Sequence, residues 1–210
     1  MIRTLITDFG GVLLRTHDDT PRRRLEALLG LPPHTIEGRV FGGELSIRAQ
    51  YGLISHAEFW RQIGVELGLN DRMTAEQLRD EFFSGDAFDE ELMAFYRSVR
   101  PAIKTGMITN AWSNARELFT ITFPIAQDFD AIVISAEESV MKPDPRIYRI
   151  ALDRLGVRAA EAIFVDDVPA NVQGAEAVGM VGVHFRSTDQ VRREIDRLLS
   201  NAGSPNSDGN

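Results

Sequence analysis

Short apolar runs recur along this chain, separated by longer amphipathic stretches. Five runs are mostly apolar: Leu5 to Thr7, Ile103 to Ile108, Ala131 to Ile134, Ala162 to Val165, and Val181 to Phe185. Runs of this length that lack regular alternation are typical of strands buried on both faces of a parallel sheet. The first four runs therefore predict buried parallel strands, and Val181 to Phe185 is a fifth candidate strand.

Helical patterns separate the later strands. Asp144 is suited to cap a helix, Pro145 to its first position, and Gly156 to its end. A second helix is predicted from Ala170 to Val178, where Gly179 closes it. Strand and helix therefore alternate in the C-terminal half, which predicts a doubly wound parallel sheet of the α/β class.

Residues from about 18 to 96 show a different pattern. The segments RRRLEALLG, AEFWRQIGVELG and EELMAFYRSV have helical spacing, and no strand is predicted among them. A connection of this length is uncommon unless it forms a unit of its own. We predict a helical cap of residues 17–96 inserted into a core of residues 1–16 and 97–200, followed by a disordered tail, 201–210, that lacks large apolar side chains.

Composition narrows the classes of function. The net charge of −8 disfavours nucleic acid or an anionic membrane as the main partner. The chain has no cysteine, which excludes disulfides, thiolate metal sites and cysteine nucleophiles. Its N-terminal apolar run is too short for a signal peptide or a membrane span, so we expect a soluble, cytoplasmic protein.

Polar residues directly follow several predicted strands: Asp8, Thr109 with Asn110, and Asp166 with Asp167. Each alone is more simply explained by a turn or a helix cap. In an open parallel sheet, however, ligands bind beyond the carboxyl ends of the strands, so their joint occurrence indicates a site. Carboxylates without thiols suit a hard cation, and Mg²⁺ in particular binds through few carboxylates together with water and phosphate.

Two glycines and a lysine add to this set. Gly10 and Gly11 permit tight turns and a close approach of main-chain amides to an anion, although the pattern matches neither standard nucleotide-binding fingerprint. Lys142 precedes a proline and, taken alone, reads as an exposed loop lysine. These residues gain meaning only together with the aspartates.

Four segments in order resemble the haloacid dehalogenase-like superfamily. They are DFGGVL from Asp8, ITN ending at Asn110, MKPDPRIY with Lys142, and FVDDVPANVQGA with Asp166 and Asp167. The resemblance covers about residues 3–186, and four motifs at these intervals are highly specific. It is strongest to the branch that contains the phosphatase domain of soluble epoxide hydrolase and the bacterial glucose-1-phosphate phosphatases. It implies a Rossmann-like core with a cap that selects a small phosphorylated substrate.

The resemblance also implies roles for single residues. Asp8 would attack phosphorus to form an aspartyl-phosphate, which water then hydrolyses. Thr109 and the amide of Asn110 would hold the phosphoryl oxygens, and Lys142 would neutralise charge on the nucleophile and the phosphoryl group. These four residues are the predicted catalytic set.

A metal site and a substrate site are implied in the same way. Mg²⁺ would be held by Asp8, the carbonyl of Gly10, and the pair Asp166 and Asp167, of which Asp167 is favoured as the direct ligand. Gly10 and Gly11 are expected to contact substrate. His17, which follows the first motif closely, is a further candidate for substrate contact.

Gly10 departs from the pattern of most phosphatases in the superfamily, which carry a second aspartate there as general acid and base. Such proton transfer contributes about a hundred- to ten-thousand-fold, so its loss leads either to a slow enzyme or to a transfer of the role to water or a cap residue. Some members of the branch resembled here also have glycine at this position. The sequence therefore leaves open whether the enzyme is slow or inactive.

Three alternatives remain at this point. A 2-haloacid dehalogenase also lacks the second aspartate, but it uses no metal, and the Asp166–Asp167 pair adds like charge that such a site tolerates poorly. The other two are a protein that binds a phosphorylated ligand without turnover and a purely structural domain. The sequence specifies neither the substrate nor the oligomeric state, for which a homodimer through the cap is one alternative.

Overall fold

A computed structural model of the protein describes residues 1–69 and 71–201, with seven strands in the described part. In chain order they are β1 (Thr4–Thr7), β2 (Leu14–Thr16), β3 (Asp86–Phe88), β4 (Lys104–Thr109), β5 (Ala131–Ile134), β6 (Ala162–Asp166) and β7 (Val181–His184). Five of them form a parallel sheet in the order β5-β4-β1-β6-β7. The predicted parallel sheet is confirmed, and β1 lies at its centre.

Helices surround this sheet and fill the insertion. They are α1 (Thr20–Leu29), α2 (Thr35–Gly42), α3 (Glu44–Gln50), α4 (His56–Glu66), α5 (Ala75–Phe83), α6 (Glu90–Val99), α7 (Ala115–Glu117), α8 (Ser135–Glu138), α9 (Pro145–Leu155), α10 (Pro169–Ala177) and α11 (Thr188–Asn201). The side chain of Asp144 caps α9 through the amide of Arg146, and Gly156 ends it in a left-handed conformation at φ 64°. The predicted limits of α9 are confirmed.

The sheet is covered on both faces. Neighbouring residues of β1 point in opposite directions, so Leu5 packs in one apolar cluster and Ile6 in another. The first cluster includes Leu92 of α6 and Ile195 of α11, whereas the second includes Ile147 of α9. The chain therefore has the three-layer arrangement expected of a doubly wound α/β fold.

A short hairpin connects the sheet to the insertion. β2 and β3 pair antiparallel, with Leu14 opposite Phe88 and Thr16 opposite Asp86. The expectation that no strand interrupts residues 18–96 was therefore wrong. β3 has only three residues, too few to show an alternating pattern, and its partner strand lies about seventy residues earlier in the chain. Its own sequence therefore does not predict a strand.

The insertion has its own apolar core, to which α1–α5 contribute; it includes Leu25, Ile36, Phe59, Trp60 and Phe82. α6, although inside the predicted range 17–96, packs its Leu92, Met93 and Tyr96 against the sheet. The predicted domain limits stay a prediction, and apart from the backbone of Asn201 the predicted tail lies outside the described residues.

In the described part, no helix is long and apolar enough to cross a membrane.

Candidate functional site

The carboxyl ends of β1, β4 and β6 bring the predicted residues together. Asp8 directly follows β1, Thr109 ends β4, and Asp166 ends β6. Because β1 pairs with both β4 and β6, these ends lie side by side. All three residues are buried, so the edge of the sheet forms a closed polar cluster instead of a solvated turn.

Lys142 lies at the centre of the cluster. Its ammonium Nζ is 2.9 Å from Asp8 Oδ2 and 2.7 Å from Asp166 Oδ2, and it donates to the carbonyl of Ile108 at 3.0 Å. Its side chain has 0% exposure, which excludes an ordinary surface lysine. Burial disfavours the charged form, but the two carboxylates outweigh it and raise the pKa of Lys142, which therefore stays protonated.

Asp8 is held at both its side chain and its backbone. Oδ1 accepts a hydrogen bond from the amide of Phe9 at 2.7 Å, and its carbonyl accepts one from the hydroxyl of Thr7 at 2.8 Å. The buried Tyr96 in turn donates to Thr7. Burial raises the pKa of Asp8 to about 7, and Lys142 opposes this rise. A cation beside Asp8 would favour the ionised form that a nucleophile needs.

Asp166 has little bonding capacity left. Its Oδ1 accepts from the amide of Val168 at 2.8 Å and from the side chain of Asn171 at 3.1 Å, while Oδ2 accepts from Lys142. The carbonyl of Asn171 accepts from the hydroxyl of Tyr148 at 2.7 Å, which anchors the start of α10. Most of the bonding capacity of Asp166 is therefore used by Lys142, Asn171 and the amide of Val168.

The carboxylate of Asp167 occupies the space where a side chain of residue 11 would lie. A Cβ atom at Gly11 would come within 2.3 Å of the carboxylate carbon of Asp167, and Gly11 itself has a φ of +78°. Only glycine meets both requirements without strain. The amide of Gly11 donates to the carbonyl of Leu14. Burial and the neighbouring Asp166 raise the pKa of Asp167, so this carboxylate also gains from a nearby cation.

Asn110 connects two of the loops. Its side-chain amide donates to the carbonyl of Lys142 at 3.0 Å, and its Oδ1 accepts from the amide of Lys142 at 2.8 Å. The buried Ser135 makes a similar pair of contacts with the main chain of Ala111. The sequence suggested no role for Ser135, because a serine after a strand has no distinctive pattern.

His17 lies away from these contacts, at the junction between β2 and the cap. Its amide donates to the carbonyl of Gly85 at 2.9 Å, and its side chain is exposed beside Asp86. Within residues 1–69 and 71–201, no hydrogen bond or ion pair joins its side chain to the carboxylate cluster. Its predicted contact with substrate stays a prediction.

The cap is attached beside the cluster through Trp112, two residues after Asn110. The Trp112 ring stacks on Phe59 of α4 with centroids 4.8 Å apart, and the amide of His56 donates to the hydroxyl of Ser113 at 3.1 Å. The phosphate-binding loop predicted at β4 is therefore packed against the cap core. No pattern in the sequence predicts this contact, since a lone tryptophan is most often a core residue.

The three aspartates could hold a metal ion. One ligand atom each from Asp8, Asp166 and Asp167 lies within 4.8 Å of the others. The donors are all carboxylate oxygens, which hard divalent cations such as Mg²⁺ prefer. The raised pKa values of Asp8 and Asp167 show carboxylates in need of positive charge, so this donor set fits the ion.

Comparison with known proteins identifies the family of the chain. A model of haloacid dehalogenase-like hydrolases matches residues 2–179. Phosphatase MT3486 of Mycobacterium tuberculosis is 26% identical over 210 residues, covering 97% of this chain and 96% of that protein. Rat bifunctional epoxide hydrolase 2 is 24% identical over 94% of this chain but only 39% of its own length, so this chain spans about two-fifths of that relative.

The fold has solved counterparts. A haloacid dehalogenase family enzyme of Bacteroides thetaiotaomicron, solved in complex with magnesium and inorganic phosphate, superimposes with a TM-score of 0.73 at 20% identity. The match covers 89% of this chain and 95% of that one. The predicted α/β architecture is therefore confirmed. The resemblance to the haloacid dehalogenase-like superfamily is confirmed by the family model that matches residues 2–179.

Proposed function

Since the chain belongs to the haloacid dehalogenase-like hydrolase family, we propose that it is a magnesium-dependent phosphatase acting on a small phosphorylated metabolite through an aspartyl-phosphate at Asp8. The observation that carries this proposal is the buried contact of Lys142 with both Asp8 and Asp166 beside a third carboxylate, Asp167. A nucleophile, a fixed positive charge and a metal-compatible donor set meet at one point. This combination suits attack on an anionic phosphoryl group.

The reaction requires a carboxylate of Asp8 positioned for attack on phosphorus. The Phe9 amide and Lys142 hold that carboxylate at Oδ1 and Oδ2, respectively. An oxygen of Asp8 bonds to phosphorus, the bond to the leaving oxygen breaks, and water later displaces the aspartate from phosphorus. Lys142, fixed by Asn110 and Asp166, remains protonated and offsets negative charge in both steps.

The metal is proposed to bind Asp8, the carbonyl of Gly10 and Asp167. Asp167 is preferred over Asp166 because the oxygens of Asp166 already accept from Lys142, Asn171 and the amide of Val168. When bound, Mg²⁺ supplies positive charge that screens the carboxylates from an incoming phosphate. Thr109, buried at the end of β4, is proposed to hold a phosphoryl oxygen.

A 2-haloacid dehalogenase remains the rival enzyme. That reaction requires one ionised carboxylate and no metal, whereas here burial, Asp166 and Asp167 together raise the pKa of Asp8 to about 7 although Lys142 opposes the rise. Because Lys142 offsets only part of this cost, a second cation beside Asp8 favours its ionised form, which supports phosphate chemistry with a metal. The proposed substrate is a small molecule, in keeping with the net negative charge of the chain.

The test measures hydrolysis of 4-nitrophenyl phosphate with Mg²⁺ and with EDTA, for the wild type, Asp8→Asn and Asp153→Asn. Asp153 is exposed on α9 and provides the same chemical change away from the cluster. We expect turnover that requires Mg²⁺, persists in Asp153→Asn and falls to background in Asp8→Asn. Equal turnover in EDTA, or in Asp8→Asn, would disprove the proposed mechanism. A protein that binds without turnover would show a Mg²⁺-dependent rise in Tm but no product.

A further inference from the structure

Ser135 lies directly after β5, next to the loop that follows β4. The two strands pair in parallel up to Thr109 and Ile134, so their register ends one residue before Ser135. Beyond that point the Ser135 hydroxyl joins the chains: it accepts from the amide of Ala111 at 3.0 Å and donates to the carbonyl of Ala111 at 3.2 Å. One side chain therefore holds both main-chain polar groups of a single loop residue.

The burial of Ser135 makes this contact hard to replace. Its side chain has 0% exposure, so water does not reach the hydroxyl in the folded chain. A hydroxyl can donate only one hydrogen bond, and here that bond goes to Ala111. Removal of the hydroxyl would leave the amide and the carbonyl of Ala111 without this partner, and the loop would have to shift to satisfy them.

Ala111 directly follows the residues assigned to phosphate. Thr109 is proposed to hold a phosphoryl oxygen, and the family resemblance implies the same for the amide of Asn110. Asn110 also bonds the amide and the carbonyl of Lys142. Because consecutive Cα atoms stay about 3.8 Å apart, a shift at Ala111 would be passed on to Asn110. It would therefore reach both the phosphate-binding amide and the loop of Lys142.

The cap touches both of the loops that Ser135 and Ala111 join. Trp112 stacks on Phe59 of α4 with centroids 4.8 Å apart. On the other side, a Cβ atom at Gly52 of the cap would come within 2.3 Å of the carbonyl oxygen of Ala136. The residue after each member of the hydrogen-bonded pair is thus in contact with the cap, and the pair ties the two loops together at the edge of the sheet.

Resting on the proposed phosphatase function, we propose that Ser135 is a positioning residue for the reaction. It fixes the loop after β4 so that the amide of Asn110 stays aligned with a phosphoryl group at Asp8. Ser135 acts through Ala111 and takes no part in bond formation or cleavage. Contacts that strengthen as the phosphoryl group reacts lower the barrier more than they tighten binding. Loss of this alignment should therefore lower kcat more than it raises KM.

The experiment measures kcat and KM for 4-nitrophenyl phosphate in saturating Mg²⁺, together with Ki for orthovanadate and for inorganic phosphate. Orthovanadate can adopt the five-coordinate geometry of the transition state, whereas inorganic phosphate resembles the product. For Ser135→Ala we expect kcat to fall about ten- to a hundred-fold, the loss typical of a misplacement of about 1 Å. Ki for orthovanadate should rise in proportion, while KM and Ki for phosphate should change by less than about threefold.

Thr105→Val is the matched control. Thr105 is buried in β4, and its hydroxyl donates to the carbonyl of Asp128 at 2.7 Å. It lies near the start of the strand, at the opposite end from Asn110. This variant also loses a buried hydroxyl that bonds the main chain, with the stability that the bond contributes. We expect its kcat and its Ki for orthovanadate to be unchanged.

Two results would overturn the proposal. Wild-type kcat and orthovanadate Ki in a folded Ser135→Ala protein would show that Ser135 serves stability alone. An equal fall of kcat in Thr105→Val would show that the loss of any buried hydroxyl next to this strand has the same effect. If Ser135→Ala does not fold, Ser135→Cys takes its place, because a thiol fills similar space but bonds weakly. Its kcat should also fall, and a wild-type kcat would overturn the proposal.

Failure of this proposal is distinguishable from failure of the proposed function. Mg²⁺-dependent turnover that is unaffected at Ser135 removes the positioning role and leaves a phosphatase. An absence of turnover in the wild type removes both.

Discussion

Replacing Gly11 with alanine should displace Asp167 and destabilise the folded chain. Alanine at a φ of +78° costs about 1–2 kcal/mol, because its Cβ crowds the backbone in the left-handed region. The same Cβ would lie 2.3 Å from Cγ of Asp167, so that side chain must leave its rotamer at a further cost of about 0.5–1.5 kcal/mol. Together these effects lower the free energy of unfolding by about 1.5–3.5 kcal/mol.

The assay is thermal unfolding in EDTA and again in saturating Mg²⁺, with Gly10→Ala as the matched control. Gly10 has no steric neighbour and no left-handed φ, so its alanine variant should stay within about 0.5 kcal/mol of the wild type. For a chain of this size, Gly11→Ala should melt roughly 3–14 °C lower in EDTA.

Mg²⁺ should widen this difference. If displacement of Asp167 weakens the metal site about ten- to a hundred-fold, Mg²⁺ stabilises Gly11→Ala by about 1.4–2.7 kcal/mol less than it stabilises the wild type. If both alanine variants melted together in EDTA, the close approach of Asp167 to Gly11 would be refuted. If Mg²⁺ stabilised all three proteins equally, Asp167 would not be a ligand.

Three further predictions follow from the contacts of single residues. Lys142→Met should lower the free energy of unfolding by about 3–5 kcal/mol at pH 8 in urea titrations, because it leaves the buried carboxylates of Asp8 and Asp166 unpaired. This loss should shrink as the pH falls and the two carboxylates take up protons. Asp167→Asn should raise the Mg²⁺ concentration for half-maximal activity with little loss of stability, whereas Asp166→Asn should mainly reduce stability; the reverse result would exchange their roles. Burial lowers the pKa of His56 to about 4, so between pH 6.5 and 4 the unfolded chain binds a proton that the folded chain does not. The free energy of unfolding should therefore fall with falling pH, by roughly 1 kcal/mol after allowance for the partial exposure of His56. His56→Gln, which keeps a hydrogen-bond acceptor for Trp60, should remove this part of the pH dependence.

The parallel sheet could be predicted from the chain because most of its strands are buried on both faces; the edge strand β7 is only partly buried. Ala131–Ile134 and Ala162–Asp166 show burial over nearly their whole length, which is why an apolar run without alternation was a sufficient signal. The hairpin strand Asp86–Phe88 had no such signal, since its residues are half-buried and its partner is distant in sequence. A local sequence pattern cannot predict the pairing of two strands that are separated in the chain by the whole cap.

For the candidate site, too, some features could be predicted from local sequence patterns and others could not. The sequence was enough to predict that Asp8, Thr109 and Asp166 lie at one edge of the sheet, because each stands at the carboxyl end of a predicted parallel strand. The packed structure was needed to show that Lys142 is buried between Asp8 and Asp166, that Asn110 holds the loop of Lys142, and that Asp167 contacts the open side of Gly11. Those relations depend on distances between loops, which are set by how the strands and helices pack and not by the order of residues along the chain.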